Sequence, residues 1–169
     1  MSEYSFRLAK AEEVNAIWEI LQEAIDRRKA DGSVQWQDGY PNLQVVAKDI
    51  ERDAGYVLVD GDRLVGYCAL FIDDEPAYDD IQGNWLTDGS FVVFHRVAVS
   101  KDYVGKGIAQ QLLLHIESFA RNRKTPSLRA DTNFDNAAML RIFEKLNYKY
   151  CGEVVFRGGS RKAFEKVLH

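Results

Sequence analysis

A mixed α/β fold, with a mostly antiparallel central sheet of about seven strands and about four flanking helices, is the expectation for this chain. Three observations carry it. Short runs rich in β-branched and aromatic residues recur, among them "YVLVDGDRLVGYCALFI" and "FVVFHRVAV". Between them lie stretches whose apolar residues return at helical spacing. The two kinds of segment are interleaved, in the order β-α-α-β-β-β-α-β-α-β-β.

Taken in order, "YSFRLAK" alternates as a first strand, and Val14, Ile17, Trp18, Leu21 and Ile25 mark a helix over Ala11 to Ala30. Glycines and a proline break the pattern in "DGSVQWQDGYPN", which is a loop, and a second helix covers Leu43 to Asp53. Asp60-Gly61-Asp62 is a tight turn between two strands. "DDEPAYDDIQGNWLTDGS" reads as a long polar connection. "FVVFHRVAV" is apolar on both faces, which suits a central strand. Ile108, Leu112, Leu113, Ile116 and Phe119 then stripe one helix face. "SLRADT" is a short strand and Asn136 to Leu146 a helix; "YKYCGEVVF" and "SRKAFEKVL" pair around Arg157-Gly158-Gly159.

The length of 169 residues suits one domain, residues 1–169, with a real core. Hydrophobic residues make up 46% and charged residues 28%, the balance of a soluble globular protein. A net charge of −4 argues against a nucleic acid as main partner. "VGYCALFI" is far too short for a membrane span, so no membrane partner is expected. Cys68 and Cys151 are too few for a disulfide framework or a zinc site, and no metal is expected. "MSEYSFRLAK" carries polar residues where a leader would be apolar, which points to the cytoplasm.

The chemistry concentrates at Val104-Gly105-Lys106-Gly107-Ile108-Ala109, between a strand and a helix. Such a junction gathers unsatisfied backbone N–H groups at the positive end of a helix dipole, a site for phosphate or another anion. Gly105 and Gly107 let the backbone approach a ligand, and Lys106 could add charge. A P-loop would need Ser or Thr where Ile108 stands, and a dinucleotide fingerprint would need glycine at Gln110. A tight connection without a ligand is the bland alternative.

"HRVAVSKDYVGKGIAQQLL" followed by "DTNFDNAAMLRIFEKLNYKYCGEV" resembles the GNAT superfamily of acetyl-CoA-dependent N-acetyltransferases, the acyl-CoA N-acyltransferase fold. The first segment is similar to its Arg/Gln-x-x-Gly-x-Gly/Ala diphosphate pattern at Val104 through Ala109. The second is similar to Asn-x-x-Ala-x-x-Leu-Tyr-x-Lys-x-Gly-Phe from Asn136 to Tyr148. There are departures: Val104 stands for Arg or Gln, Met139 for Ala, and Asn147-Tyr148 for Gly-Phe. Phe143 stands where many relatives have a tyrosine that protonates the departing thiolate.

The resemblance implies acetyl-CoA as cosubstrate and a small-molecule or peptide amine as acceptor. It implies that main-chain groups of Val97 and Val99 pair with the pantetheine arm, with Asn136 near its acetyl-bearing end. His95 is the candidate base, against the alternative of a buried histidine satisfied by the backbone. Arg96 reads as structural. A cysteine nucleophile is open in principle, with packing the expected role of both thiols. Trp36, Tyr40, Tyr78 and Trp85 either wall the acceptor pocket or anchor loops. Asp73, Asp74, Glu75, Asp79 and Asp80 either attract a cationic amine or are simply solvated. The competing expectation is a module of this fold that holds acyl-CoA as a sensor without turnover. A homodimer through the C-terminal strands is compatible with such folds.

Overall fold

The computed structural model describes residues 4–156 and 159–169. Strand β1 (Ser5–Leu8) leads through a 3-10 turn into helix α1 (Val14–Ala30), and α2 (Leu43–Glu51) precedes β2 (Gly55–Asp60) and β3 (Arg63–Ile72). A 3-10 turn at Pro76–Asp80 and β4 (Gln82–Gly83) precede β5 (Val92–Val99), and a turn at Lys101–Tyr103 leads to α3 (Ile108–Asn122). Then come β6 (Ser127–Thr132), α4 (Ala137–Lys145), β7 (Lys149–Phe156) and β8 (Gly159–Val167). The strand order is β1-β2-β3-β5-β6-β8-β7-β4, eight strands where about seven were expected from alternation. The addition is β4, whose Gln82 and Gly83 pair with Glu153 and Gly152 of β7. Two residues carry no periodicity, so sequence alone cannot find such a strand. Of the turn expected at Arg157-Gly158-Gly159, Arg157 and Gly158 lie outside the described residues, while Gly159 opens β8 opposite Phe156.

The chain forms two units, one reaching to Leu70 and including Arg96–His115, the other Phe71–His95 with Ile116–His169. In the first, β1 pairs antiparallel with β2 from Ser5 opposite Val59 to Leu8 opposite Tyr56. β2 turns into β3 where Asp60 faces Arg63, with Gly61 in the left-handed region. Asn42 starts α2 by accepting from the Val45 N–H (2.9 Å). Of the stripe expected in α1, Ile17 and Leu21 are buried and Val14, Trp18 and Ile25 partly so; Ile20 and Ala24 join them in a core with Val46, Val57, Val59 and Tyr67. Each Ile, Leu or Val side chain buried there contributes roughly 1.5–3 kcal/mol by leaving water.

In the second unit β6 lies between β5 and β8. It pairs antiparallel with β8 over six positions, from Ser127 opposite Val167 to Thr132 opposite Lys162. With β5 it runs parallel, and the ladder covers Val92–Leu128 and Val93–Arg129. α4 is capped by Asn136, whose Oδ1 accepts from Met139 N–H (3.1 Å). The helix closes with Tyr148 N–H donating to Phe143 C=O (2.8 Å) and Asn147 N–H to Glu144 C=O (3.1 Å). Asn147 has φ 65°, and asparagine is among the few side chains that tolerate this helix-ending conformation. The Asn147 departure from the family pattern is therefore conformationally silent.

Glu165 of β8 organises the connection before β5. Fully buried, it accepts from Leu86 N–H (2.6 Å), Thr87 Oγ1 (2.6 Å), Ser127 Oγ and Arg129 Nε (3.2 Å). Burial alone would raise its carboxyl, but the donors of Ser127, Thr87 and Leu86 with the Arg129 charge hold it below the ordinary 4.5. The stabilisation is therefore complete above pH 4.5 and drains away as pH falls through the lower folded value. Urea denaturation should find Glu165→Gln about 2 kcal/mol less stable than the parent at neutral pH, with the gap closing in acid.

Candidate functional site

In the first unit, the strand-to-helix junction has the geometry that its glycines imply. Val104 is extended, Gly105 (φ 83°) and Gly107 (φ 76°) are left-handed, and α3 begins at Ile108. A Cβ at either glycine would meet nothing within 4 Å, so both backbone faces look into open space and only conformation selects glycine. Gln111 N–H donates to Gly107 C=O (3.0 Å), which makes Gly107 the first acceptor of the helix. The N–H groups of Ile108, Ala109 and Gln110 consequently lack intrahelical partners, at the positive end of a 15-residue helix. The Ile108 side chain is buried, so this residue can offer only its main chain. Val104 is half exposed and Lys106 exposed, with Nζ 5.0 Å from the Tyr103 ring centre.

The junction is held from both sides. Tyr103 Oη donates to Asp60 (2.8 Å), and Arg63 pairs with Asp102. From α1, Glu23 accepts from Lys101 N–H (2.9 Å), and Arg27 donates to the Val99 carbonyl (2.7 Å). Val97 is buried and Val99 half-buried. Arg96 has φ 56°, a left-handed residue inside a strand. Its guanidinium forks onto Asp49 through Nε–Oδ2 (2.9 Å) and Nη2–Oδ1 (2.6 Å), and donates from Nη1 to Tyr40 Oη (2.5 Å). Tyr67 Oη donates to the same Asp49 (2.7 Å). Arg96 is structural, as its position suggested.

In the second unit, three titratable groups from three elements meet. His95 Nε2 lies 2.7 Å from Glu75 Oε2, and Nδ1 lies 3.9 Å from Asp131 Oδ2. Tyr78 Oη donates to Asp131 Oδ2 (2.6 Å), and Arg161 stands 3.9 Å from Oδ1. Burial lifts the Asp131 carboxyl above its ordinary value, against the pull of His95, Tyr78 and Arg161. Burial first, then the Asp131 charge, keeps Tyr78 a phenol far above its usual range. Phe71, Tyr78 and Phe156 surround the imidazole at 6.1, 6.4 and 6.0 Å between centres. Among the described residues no group of three such side chains is arranged to hold a metal ion.

The acidic connection is not one patch. Asp74, Asp79 and Asp80 are exposed, and Asp73 is spent accepting from Ser90 Oγ and Phe91 N–H (both 2.8 Å). Glu75 is the acid that reaches a functional candidate. The four aromatic candidates each make contacts within their own units. Trp36 is buried beneath the Arg28 guanidinium (3.7 Å), and Tyr40 receives Arg96. Tyr78 is buried, and Trp85 Nε1 donates to its carbonyl (2.9 Å). Phe143 is buried against Phe164 (4.7 Å), Tyr148 (5.0 Å) and Phe94 (6.4 Å). Cys68 is fully buried with its thiol pushed up, and burial pushes Cys151 up to about 11, so neither is a ready nucleophile. Asp131 had no signal in the sequence, being one polar residue in a short strand.

These features define an acyltransferase-type fold, and comparison gives the family. The chain belongs to the acetyltransferase (GNAT) family, whose profile matches residues 15–148. A GNAT-family acetyltransferase structure from Streptococcus agalactiae 2603 is 35% identical, with TM-score 0.89 over 98% of this chain and 96% of that one. A GNAT-family acetyltransferase from Listeria monocytogenes 4b F2365 shares the fold at 18% identity (TM-score 0.80; 99% and 96% covered). So does yncA from Salmonella typhimurium, solved with its cofactor acetyl-CoA (18%; TM-score 0.70; 99% and 95% covered). A search of curated proteins found no match.

Breaking the buried Asp49–Arg96 fork strands a charge. Asp49→Ala should cost about 3–5 kcal/mol in chemical denaturation, and Tyr67→Phe, which removes one donor to Asp49, about 1 kcal/mol.

Proposed function

We propose that this chain is an N-acetyltransferase that carries the acetyl group of acetyl-CoA to a primary amine by direct attack, with both substrates bound together. The observation that carries the reading is the set of N–H groups of Ile108, Ala109 and Gln110 without intrahelical partners, behind two left-handed glycines whose Cβ positions would meet nothing. In this reading those groups hold the diphosphate. With Val104 apolar and half exposed, the main chain carries most of that grip, with Lys106 beside it. The thioester supplies an acetyl group activated for transfer. Main-chain groups of Val97 and Val99 pair with the pantetheine arm, a β5 N–H steadies the developing oxyanion, and Asn136 lies toward the acetyl end.

An alkylammonium ordinarily titrates near 10.4, so it must shed one proton to free its lone pair before attack, and the attacking amine loses a second as the amide forms. His95 takes the second, with Glu75 Oε2 2.7 Å from its Nε2 and Asp131 Oδ2 3.9 Å from its Nδ1. Phe143 has no proton to offer the leaving group. A thiol ordinarily ionises near 8.5, so the thiolate departs unaided.

The test pairs calorimetry with a coupled assay of CoA release over a panel of amines. Gly107→Val should weaken coenzyme A binding at least about tenfold, because a β-branched residue resists φ 76°. His95→Ala should lower kcat about 100-fold while leaving acetyl-CoA affinity intact. A stable acetyl-CoA complex that acetylates no amine would instead establish the sensor reading.

A further inference from the structure

The aromatic-walled cluster around His95 contains a carboxylate placed as an orienting group is placed in a proton-transfer unit. Glu75 opens the 3-10 turn at Pro76–Asp80, where Oε1 accepts from Ala77 N–H (3.3 Å), and this fixes the carboxylate from behind. Its other oxygen is 2.7 Å from His95 Nε2. A carboxylate only accepts, so the short contact places a proton on Nε2. The opposite nitrogen, Nδ1, is 3.9 Å from Asp131 Oδ2, beyond hydrogen-bond reach. Asp131 Oδ2 is already engaged by Tyr78 Oη at 2.6 Å. The imidazole therefore has one nitrogen donating to a fixed acceptor and one carrying a lone pair toward a second carboxylate.

We propose that Glu75 is the positioning residue of the transfer: it holds His95 with its proton on Nε2, so that Nδ1, facing Asp131, takes the proton of the incoming amine. The inference rests on the acetyltransferase reading. As the amine lone pair forms the N–C bond, the C–S bond breaks and its electron pair leaves on the thiolate. The amine proton passes to Nδ1, giving an imidazolium held between Glu75 and Asp131. Release of that proton to water restores the ring. Glu75 touches neither substrate and acts only through His95, as the third member of a triad orients its histidine.

The first readout needs no turnover. Long-range ¹⁵N–¹H NMR of the native protein should show His95 as the Nε2–H tautomer, and Glu75→Gln should redistribute the proton between the two nitrogens. A native ring protonated on Nδ1 overturns the proposal and leaves the acetyltransferase reading standing. In the kinetic arm, Glu75→Gln should lower kcat about 100-fold with KM for acetyl-CoA unchanged. Because both residues act as one unit, the double variant Glu75→Gln/His95→Ala should be no slower than His95→Ala alone. Losses that multiply instead would show Glu75 acting independently of His95 and end the proposal. Absence of any acetylation by the native protein defeats the enzyme reading and, with it, this role for Glu75, whatever tautomer the ring shows.

Discussion

A left-handed residue inside a central strand is costly for anything but glycine, by roughly 1–2 kcal/mol, and Arg96 bears that cost because its side chain is bound. The guanidinium meets Asp49 in a two-point fork, and Tyr67 and Tyr40 occupy the remaining polar positions around it. A fork is directional as well as attractive, so it fixes where the backbone of Arg96 must lie.

Carboxylates also tie down irregular segments elsewhere in the chain. A carboxylate collects backbone and hydroxyl donors from a segment with no regular ladder of its own. Glu165 does this for Leu86 and Thr87, Asp73 for Ser90 and Phe91, and Glu23 for Lys101 beyond the end of β5. Each removes the penalty of an unpaired N–H while tying the loop to a strand or helix. Part of the acidic balance of the sequence is thus structural. Charge that looks like a field for a cationic partner is partly consumed as hydrogen-bond acceptors.

What the sequence revealed and what it hid follow one division. Periodicity is local, so α1 and α3 were legible from their apolar stripes and the β2–β3 turn from Gly61. The junction before α3 was legible because its conformation demands glycine. The left-handed backbone of Arg96 was hidden because its partner, Asp49, lies far off in sequence on α2, and arginine carries no local sign of that conformation. The Glu75–His95–Asp131 grouping was hidden for the same reason: it joins a loop and two strands, and each residue alone looks ordinary. His95 could be picked out by its chemistry, Glu75 appeared only as one acid in a run, and Asp131 was overlooked.

The departures from the family pattern separate once the structure is known. Asn147 keeps the left-handed helix end that glycine would have supplied, so nothing is lost there. Val104 offers no polar side chain yet leaves the main-chain donors of the junction in place, so on the proposed reading the departure costs one contact and not the site. Phe143 is different, because a hydroxyl is absent and the ring is sealed among Phe94, Tyr148 and Phe164. Acid assistance to the leaving group cannot come from that position. A thiolate needs such help far less than an ammonium needs a base, since the first is the weaker base by about two pK units. On the proposed reading the chemical demand therefore falls on proton removal, and His95, with Glu75 Oε2 2.7 Å from its Nε2, is the group offered to meet it.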